Sequence, residues 1–327
     1  MQRSLASTRQ NCRRMAYDPN DPRSQLATVA IASRRATAAD IAAPPEYFEF
    51  SKLEPDDVTS LGSRSWSVRS QTAAVVYSIA AAGDRFSRVG QPDEYVALLV
   101  STPSAPAAQV DVVAGDEHAS IVDDAVVVVP PGSSEVIVTS PGVVVRIFSN
   151  LATDVVSAAR NDAAHADSHP HAAPFAAWPP APAGDKLRVY RLADAPVDSS
   201  RFGNIYRCRT IMVNVIAADP GPRNPARMSP HHHDDFEQLS LQIDGEYVHH
   251  IRTPWTTDLG NWRDDEHHQC TSPALIVIPP PTVHTSQGVG DHRHQLVDIF
   301  CPPRLDFSAK PGWVLNHADY PDLPPER

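Results

Sequence analysis

A membrane-spanning helix needs roughly 18 consecutive apolar residues, and no stretch of this 327-residue chain comes near that length. A transmembrane helix is excluded, and no membrane partner is expected. A basic surface is lacking as well. The formal net charge is −11, whereas nucleic-acid binders usually carry a basic patch. Arg3, Arg9, Arg13 and Arg14 form the one basic cluster, at the extreme N-terminus, so no nucleic-acid partner is expected. Paired cysteines are missing too. Cys12, Cys208, Cys270 and Cys301 form no CxxC pair and no framework spacing, which reads as reduced thiols in a soluble, cytoplasmic protein.

Breakers, by contrast, are abundant. Thirty-two prolines argue against long helices and for short strands joined by turns. With 42% hydrophobic residues, a chain of this length can bury the cores of two ordinary domains. Residues 1–45 are polar, Ala-rich and weakly patterned, and read as a loose tail with a short helix near Ala36–Ala43. The first 16 residues are Arg-rich and acid-free, as transit peptides are. Met15 offers a second account, in which the first 14 residues are an over-extended gene start.

From Trp66 onward short β-prone runs appear at Thr72–Ala80, Glu94–Ser101, Ala108–Val113, Asp124–Val129, Glu135–Thr139 and Val143–Phe148. The stretch Asn161–Gly184 is built from Ala, Pro, His and Asp without an apolar period, and reads as a linker whose His165, His169 and His171 face water. Strands resume at Leu187–Leu192, Ile205–Ile216, Glu237–Ile243, Tyr247–Ile251, Ala274–Ile278 and Gln295–Phe300. The halves resemble each other. Glu94-Tyr-Val-Ala-Leu-Leu matches Glu237-Gln-Leu-Ser-Leu-Gln, and Val-Val-Val-Pro130-Pro131 through Glu135 matches Ile-Val-Ile-Pro279-Pro280 through His284. Two matches in one order at nearly one offset point to a duplication. The division expected is a tail (1–45), a first β domain (46–152), a linker (153–184) and a second β domain (185–327).

Eleven of the fifteen histidines lie after position 230. Residues two apart on a strand face one side, so His231 and His233 can reach one ion while His232 points away. Glu237 shares their parity. Six extended residues span roughly 20 Å, so Glu237 can join them only if Asp234-Asp235 bends the chain. His284, on a later strand, is placed by sequence to complete the set. His231-x-His233-x3-Glu237 resembles the first cupin motif and Pro279-x-Pro281-x2-His284 the second. The likeness covers most of 186–301, with a weaker version over 66–150. It implies an all-β bicupin, two double-stranded β-helix (jelly-roll) barrels, with metal ligands His231, His233, Glu237 and His284. Two departures stand out: Pro225 replaces a usual Gly, and one extra residue separates Glu237 from Gly245.

In the first half Arg88-Val89-Gly90 stands where His-x-His would be, and Glu135 where the last His would be, so that barrel is expected to hold no metal and to pack or dimerise. One of His249 and His250 must face the barrel interior, where it serves as a proton shuttle or a satisfied rim residue. The loop Arg252–Cys270, with Trp255 and Trp262, reads as a lid over an aromatic or anionic substrate or as a solvated loop. Open coordination positions beside His and carboxylate suit Fe(II). The first reading is therefore a dioxygenase of a small organic, aromatic or diketone-like molecule. The second is a Zn, Mn or Ni isomerase, lyase or decarboxylase, and the third a binding or structural cupin. A homodimer is the expected assembly.

Overall fold

The computed structural model describes residues 41–324 apart from 104, 199 and 202. The basic N-terminal cluster, Cys12, Met15 and most of the helix expected at Ala36–Ala43 lie outside these residues. Strand β1 (Glu46–Glu49) comes first. The first half then forms β2 (Asp57–Val58), β3 (Arg64–Arg69), β4 (Ala73–Ala80), β5 (Arg85–Gln91), β6 (Tyr95–Leu99), β7 (Gln109–Ala114), β8 (Glu117–Ile121), β9 (Ala125–Val129), β10 (Gly132–Ser140) and β11 (Gly142–Ser149). After the linker come β12 (Arg188–Arg191), β13 (Gly203–Arg207), β14 (Met212–Ile216), β15 (Gln238–Asp244), β16 (Glu246–Arg252), β17 (Glu266–Thr271), β18 (Ala274–Ile278), β19 (Val283–Val289) and β20 (Gln295–Phe300).

Each half is a jelly roll of two facing antiparallel sheets. The first half sets β5-β10-β7-β8 against β12-β9-β6-β11-β4-β3-β2, and the second sets β17-β16-β19 against β1-β18-β15-β20-β14-β13. The expected boundaries are crossed twice. β1, ahead of the first half, pairs with β18 of the second barrel, with Glu46 opposite Val277. β12, after the linker, pairs with β9 of the first barrel, with Arg188 opposite Val128. Each barrel thus covers an edge that would otherwise expose unpaired backbone groups with a strand from across the divide.

The two large sheets pack face to face. Val68, Val75, Val96 and Leu98 of the first half meet Val213, Leu239, Leu241 and Val297 of the second in one buried core, with Phe50 among them. Burying each such side chain fully is worth about 1.5–3 kcal/mol, so the barrels are held as one body. The interiors differ. The first barrel is filled by an apolar cluster that includes Tyr95, Ala97, Leu99, Val112, Val127 and Val136. The second buries Asn214, Gln238, Ser240, Gln242, His249 and Asp298. Alternation along β15 makes the difference: Leu239 and Leu241 face the interbarrel core, so Gln238, Ser240 and Gln242 face the barrel interior.

The halves share a hairpin hydrogen bond. Ser70 N–H donates to Ala73 O at 2.8 Å, and Cys208 N–H donates to Ile211 O at 2.8 Å, so Gln71 and Arg209 occupy the same position in the two copies. Part of the long loop expected over Arg252–Cys270 is β17, which pairs along β16 from Glu266 to Thr271. Its sequence Glu-His-His-Gln-Cys-Thr carries no apolar alternation, and the backbone ladder defines it.

Candidate metal centre

His231 enters the second barrel through an isolated antiparallel bridge to His284. His231 N–H donates to His284 O at 3.1 Å and His284 N–H to His231 O at 2.8 Å, which sets the two imidazoles side by side. His233 lies two residues on. The ring centroids are 4.4 Å apart for His231–His284, 5.1 Å for His231–His233 and 5.2 Å for His233–His284. One ligand atom from each of the three lies within 4.8 Å of the others.

The rings are oriented from behind. His231 Nδ1 lies 2.9 Å from Ser229 O, and His284 Nδ1 lies 2.9 Å from Thr282 O. A carbonyl can only accept, so each Nδ1 carries the proton and each Nε2 is left as a lone-pair donor, the arrangement typical of metal-bound histidine. His233 Nε2 and His284 Nε2 face Gln238 Oε1 at 3.0 and 3.4 Å. The Gln238 amide is held by its other end, with Nε2 donating to Asp298 Oδ1 at 3.0 Å and to Ser240 Oγ at 3.2 Å. His233 Nδ1 is buried with no hydrogen-bond partner. Burial holds all three rings neutral: it pulls His284 down to about 4 and His231 and His233 well below the ordinary histidine range, and the neighbouring positive groups lower them further. Three neutral imidazoles and an amide oxygen suit a divalent cation, and these residues fit one.

Glu237 is not among them. Its Oε2 accepts from Gln71 N–H of the first barrel at 2.6 Å, and its Oε1 pairs with His169 Nδ1 at 2.7 Å. The reason is parity. Glu237 shares the face of Leu239 and Leu241 that looks at the other barrel, and Gln238 takes the inward place. The extra residue before Gly245 was the sequence signal, since counting from Gln238 removes it. Glu94, the first-half counterpart of Glu237, does the same in reverse: it accepts from Arg209 N–H at 2.8 Å and from Tyr320 Oη–H at 2.6 Å. The pair is a pseudo-symmetric interbarrel clasp.

In the first barrel Arg88 stands opposite Ser134, as His231 stands opposite His284. Tyr95 replaces Gln238; its hydroxyl lies 3.1 Å from Ser134 Oγ and its ring stacks on Phe148 at 4.9 Å. Glu135, aligned by sequence with His284, is one position off because β10 has an irregular register between Gly132 and Ser134. It lies on the surface in an ion pair with Arg85 at 2.8 Å.

Of the two adjacent histidines, His249 faces inward. It is fully buried, with Nδ1 2.9 Å from Ser286 Oγ and Nε2 3.4 Å from Gln242 Oε1, and burial pulls it down to about 3. His250 lies on the outer face, 2.7 Å from His267 and 3.1 Å from Gln287. It takes no part in the interior. Trp255 and Trp262 stack on each other at 4.2 Å and line a separate surface hollow with Arg252 and Arg263.

A cavity opens from His231, His284 and Gln238, walled by Arg223, Tyr247, Ser286, His294 and Asp298 among others. It offers about 70 Å³ to water centres, which at about 10–15 Å³ each is room for a handful of waters or a small organic molecule. Asp298 was not singled out by sequence, although a carboxylate inside the apolar strand Gln295–Phe300 is the signal. Buried beside Ser240 and Gln238, it is raised to about 6 by burial. Arg223 is fixed in the wall by Ser286 O at 2.8 Å and Ser229 Oγ at 2.9 Å.

No family model and no curated protein matches the sequence. Solved structures do match in shape. One is the oxalate decarboxylase of Lactobacillus farciminis in a formate complex, with 14% identity over 79% of this chain and 86% of that one and a TM-score of 0.52. Another is the oxalate decarboxylase of Bacillus subtilis described for its Mn(II) centres, with 14% identity over 82% and 80% and a TM-score of 0.52.

Proposed function

On the premise that this chain has the bicupin fold, we propose that its second barrel is a metal-dependent active site that transforms a small organic carboxylate without net oxidation, as a decarboxylase, lyase or isomerase does. The ion, Mn(II) or Zn(II) by preference, would be held by Nε2 of His231, His233 and His284 and by Oε1 of Gln238. The carrying observation is that this donor set contains no carboxylate. An all-neutral set leaves the cation's charge uncompensated, which favours the divalent state and an anionic ligand, so when bound the ion supplies Lewis-acid polarisation of a carboxylate or carbonyl oxygen.

The chain's own groups supply the rest. Arg223 places a fixed positive charge in the cavity wall, where it binds and orients a carboxylate. Asp298, whose proton affinity sits near working pH, holds or releases a proton at its carboxyl oxygens. The neutral His249 ring shares a hydrogen bond with Ser286 Oγ, and this pair links the barrel interior to the cavity wall for proton exchange. The low-dielectric walls around these buried groups strengthen each of their charges.

An Fe(II) dioxygenase is the second reading, because the same three histidines with open positions suit Fe(II) and dioxygen. One experiment separates the two. Protein loaded in turn with Mn(II), Zn(II) and Fe(II) is offered a panel of small mono- and dicarboxylates, with and without oxygen. Product or CO₂ release in anaerobic buffer is expected. Turnover that strictly requires Fe(II) and consumes oxygen would overturn the non-redox reading. His284→Ala should abolish either activity.

A further inference from the structure

Glu237 belongs to a second metal-ligating group that lies outside the His231 cavity. His165, His169 and Glu237 each present a ligand atom, and these atoms lie within 4.8 Å of one another. Their origins are distant in sequence. His165 ends the short helical turn Asp162–His165 of the linker, His169 follows four residues later, and Glu237 precedes β15. The rings of His165 and His169 lie 4.6 Å apart. Glu46 of β1 stands behind the His165 ring, with Oε1 2.8 Å from His165 Nε2. The group is enclosed: His165 and Glu237 are 4% and 3% exposed.

We propose that this cluster is a structural site for a divalent transition metal, Zn(II) by donor type, which fastens the linker across the barrel junction. Four features support it. Two imidazoles and a carboxylate are zinc ligands by type, and Glu46 holds the His165 ring from behind as carboxylates hold metal-bound histidines. The carboxylate is pre-positioned, because Gln71 N–H holds Glu237 Oε2 from the first barrel and leaves Oε1 on the histidine side. Glu237 is 3% exposed, and a carboxylate so enclosed is stabilised by a cation beside it. Finally, the elements gathered are those that cross the divide: the N-terminal strand, the linker, and the strand entry at Glu237. An ion here would join the linker to the entry of β15. The linker histidines, read from sequence as solvated, would then be the reason the segment lies where it does.

The test removes the cavity site first, so that it does not depend on the proposed function. In a His231→Ala/His284→Ala background, the folded full-length chain is stripped with chelator and titrated with Zn(II), and with Co(II) as a spectroscopic probe. One equivalent should bind, with Co(II) giving the visible absorption of a nitrogen- and oxygen-liganded tetrahedral ion. Adding His169→Ala, or His165→Ala in its place, should reduce that equivalent to none while circular dichroism stays unchanged. If His169→Ala does not fold, His165→Ala and the stoichiometry of the folded wild type decide: two Zn(II) per chain are expected, against one. No binding in the double variant, or binding undiminished by both linker substitutions, overturns the proposal.

Discussion

Replacing Glu237 with Ala separates an interbarrel clasp from a cavity ligand. Glu237 is buried and takes two charge-assisted hydrogen bonds, from Gln71 N–H at 2.6 Å and from His169 at 2.7 Å. Hydrogen bonds to a charged group are worth about 1.5–3 kcal/mol each, and removing the acceptor strands both donors in an enclosed place. The expected cost is therefore about 3–6 kcal/mol of unfolding free energy, a large part of the stability of an ordinary domain. Urea unfolding of chelator-stripped protein, followed by tryptophan fluorescence, reads this directly without a contribution from bound metal. Glu94→Ala should cost a similar amount, since Glu94 holds Arg209 N–H and Tyr320 in the mirrored position. Metal at the three histidines should survive Glu237→Ala: one equivalent should remain, and His284→Ala should then remove it. A cost under about 1 kcal/mol, or loss of that equivalent, would refute the assignment of Glu237 to the clasp and return it to the cavity.

Three further outcomes follow from the same geometry. Gln238→Ala and His284→Ala should each lower cavity metal content by at least tenfold, whereas His232→Ala should leave it unchanged, since its ring lies beside Asp234 at 3.2 Å; element analysis of dialysed protein decides. Metal-free protein should lose stability as pH falls from the ordinary histidine value of 6.5 toward the folded values of about 4 for His284 and about 3 for His249. Between those limits the unfolded chain binds protons that the folded chain refuses, so stability rises with pH by up to about 1.4 kcal/mol per pH unit for each such histidine; a flat urea midpoint between pH 6.5 and 4.5 would contradict this. Deleting the chain through Lys52 removes β1 and the fully buried Phe50. It should destabilise the joined barrels by at least the 3–5 kcal/mol typical of a lost core phenylalanine, and expose the β18 edge to aggregation measurable by light scattering.

The two-barrel architecture was legible because β-branched runs at regular spacing carry a strong strand signal, and Ala274–Ile278 and Gln295–Phe300 fall where the apolar pattern places them. Strands β1, β8 and β17 were not legible. Their residues are half-exposed or polar, and they are strands only because a long-range partner offers a backbone ladder. The grouping of His231, His233 and His284 could be read from strand parity and spacing. The fourth member could not be read from residue type, because a glutamate beside two histidines is the chemically obvious ligand and a glutamine is not. The decisive information lay in β15 itself: the alternation Gln238-Leu-Ser240-Leu-Gln242 puts its polar face inward, and Glu237 falls on the other face. Asp298 escaped because one carboxylate in an apolar strand is conspicuous only once its neighbours are known.

The exchange of β1 and β12 has a consequence for synthesis. Chain growth is vectorial, and β1 leaves the ribosome about 230 residues before β18, the strand it must pair with. At about 5–20 residues per second that is a wait of roughly 10–45 seconds, during which Tyr47 and Phe48 lack the strand they pack beside, while Phe50 already has Trp66 and Tyr77 of the first barrel to stack on. The first barrel can close as soon as β12 emerges, yet it must do so with this apolar segment dangling from its start. A nascent-chain chaperone, or transient docking on the first barrel's own outer sheet, would shelter it. The order of events is then fixed: the barrel without the histidine cluster matures first and serves as the surface against which the chemically equipped one is assembled.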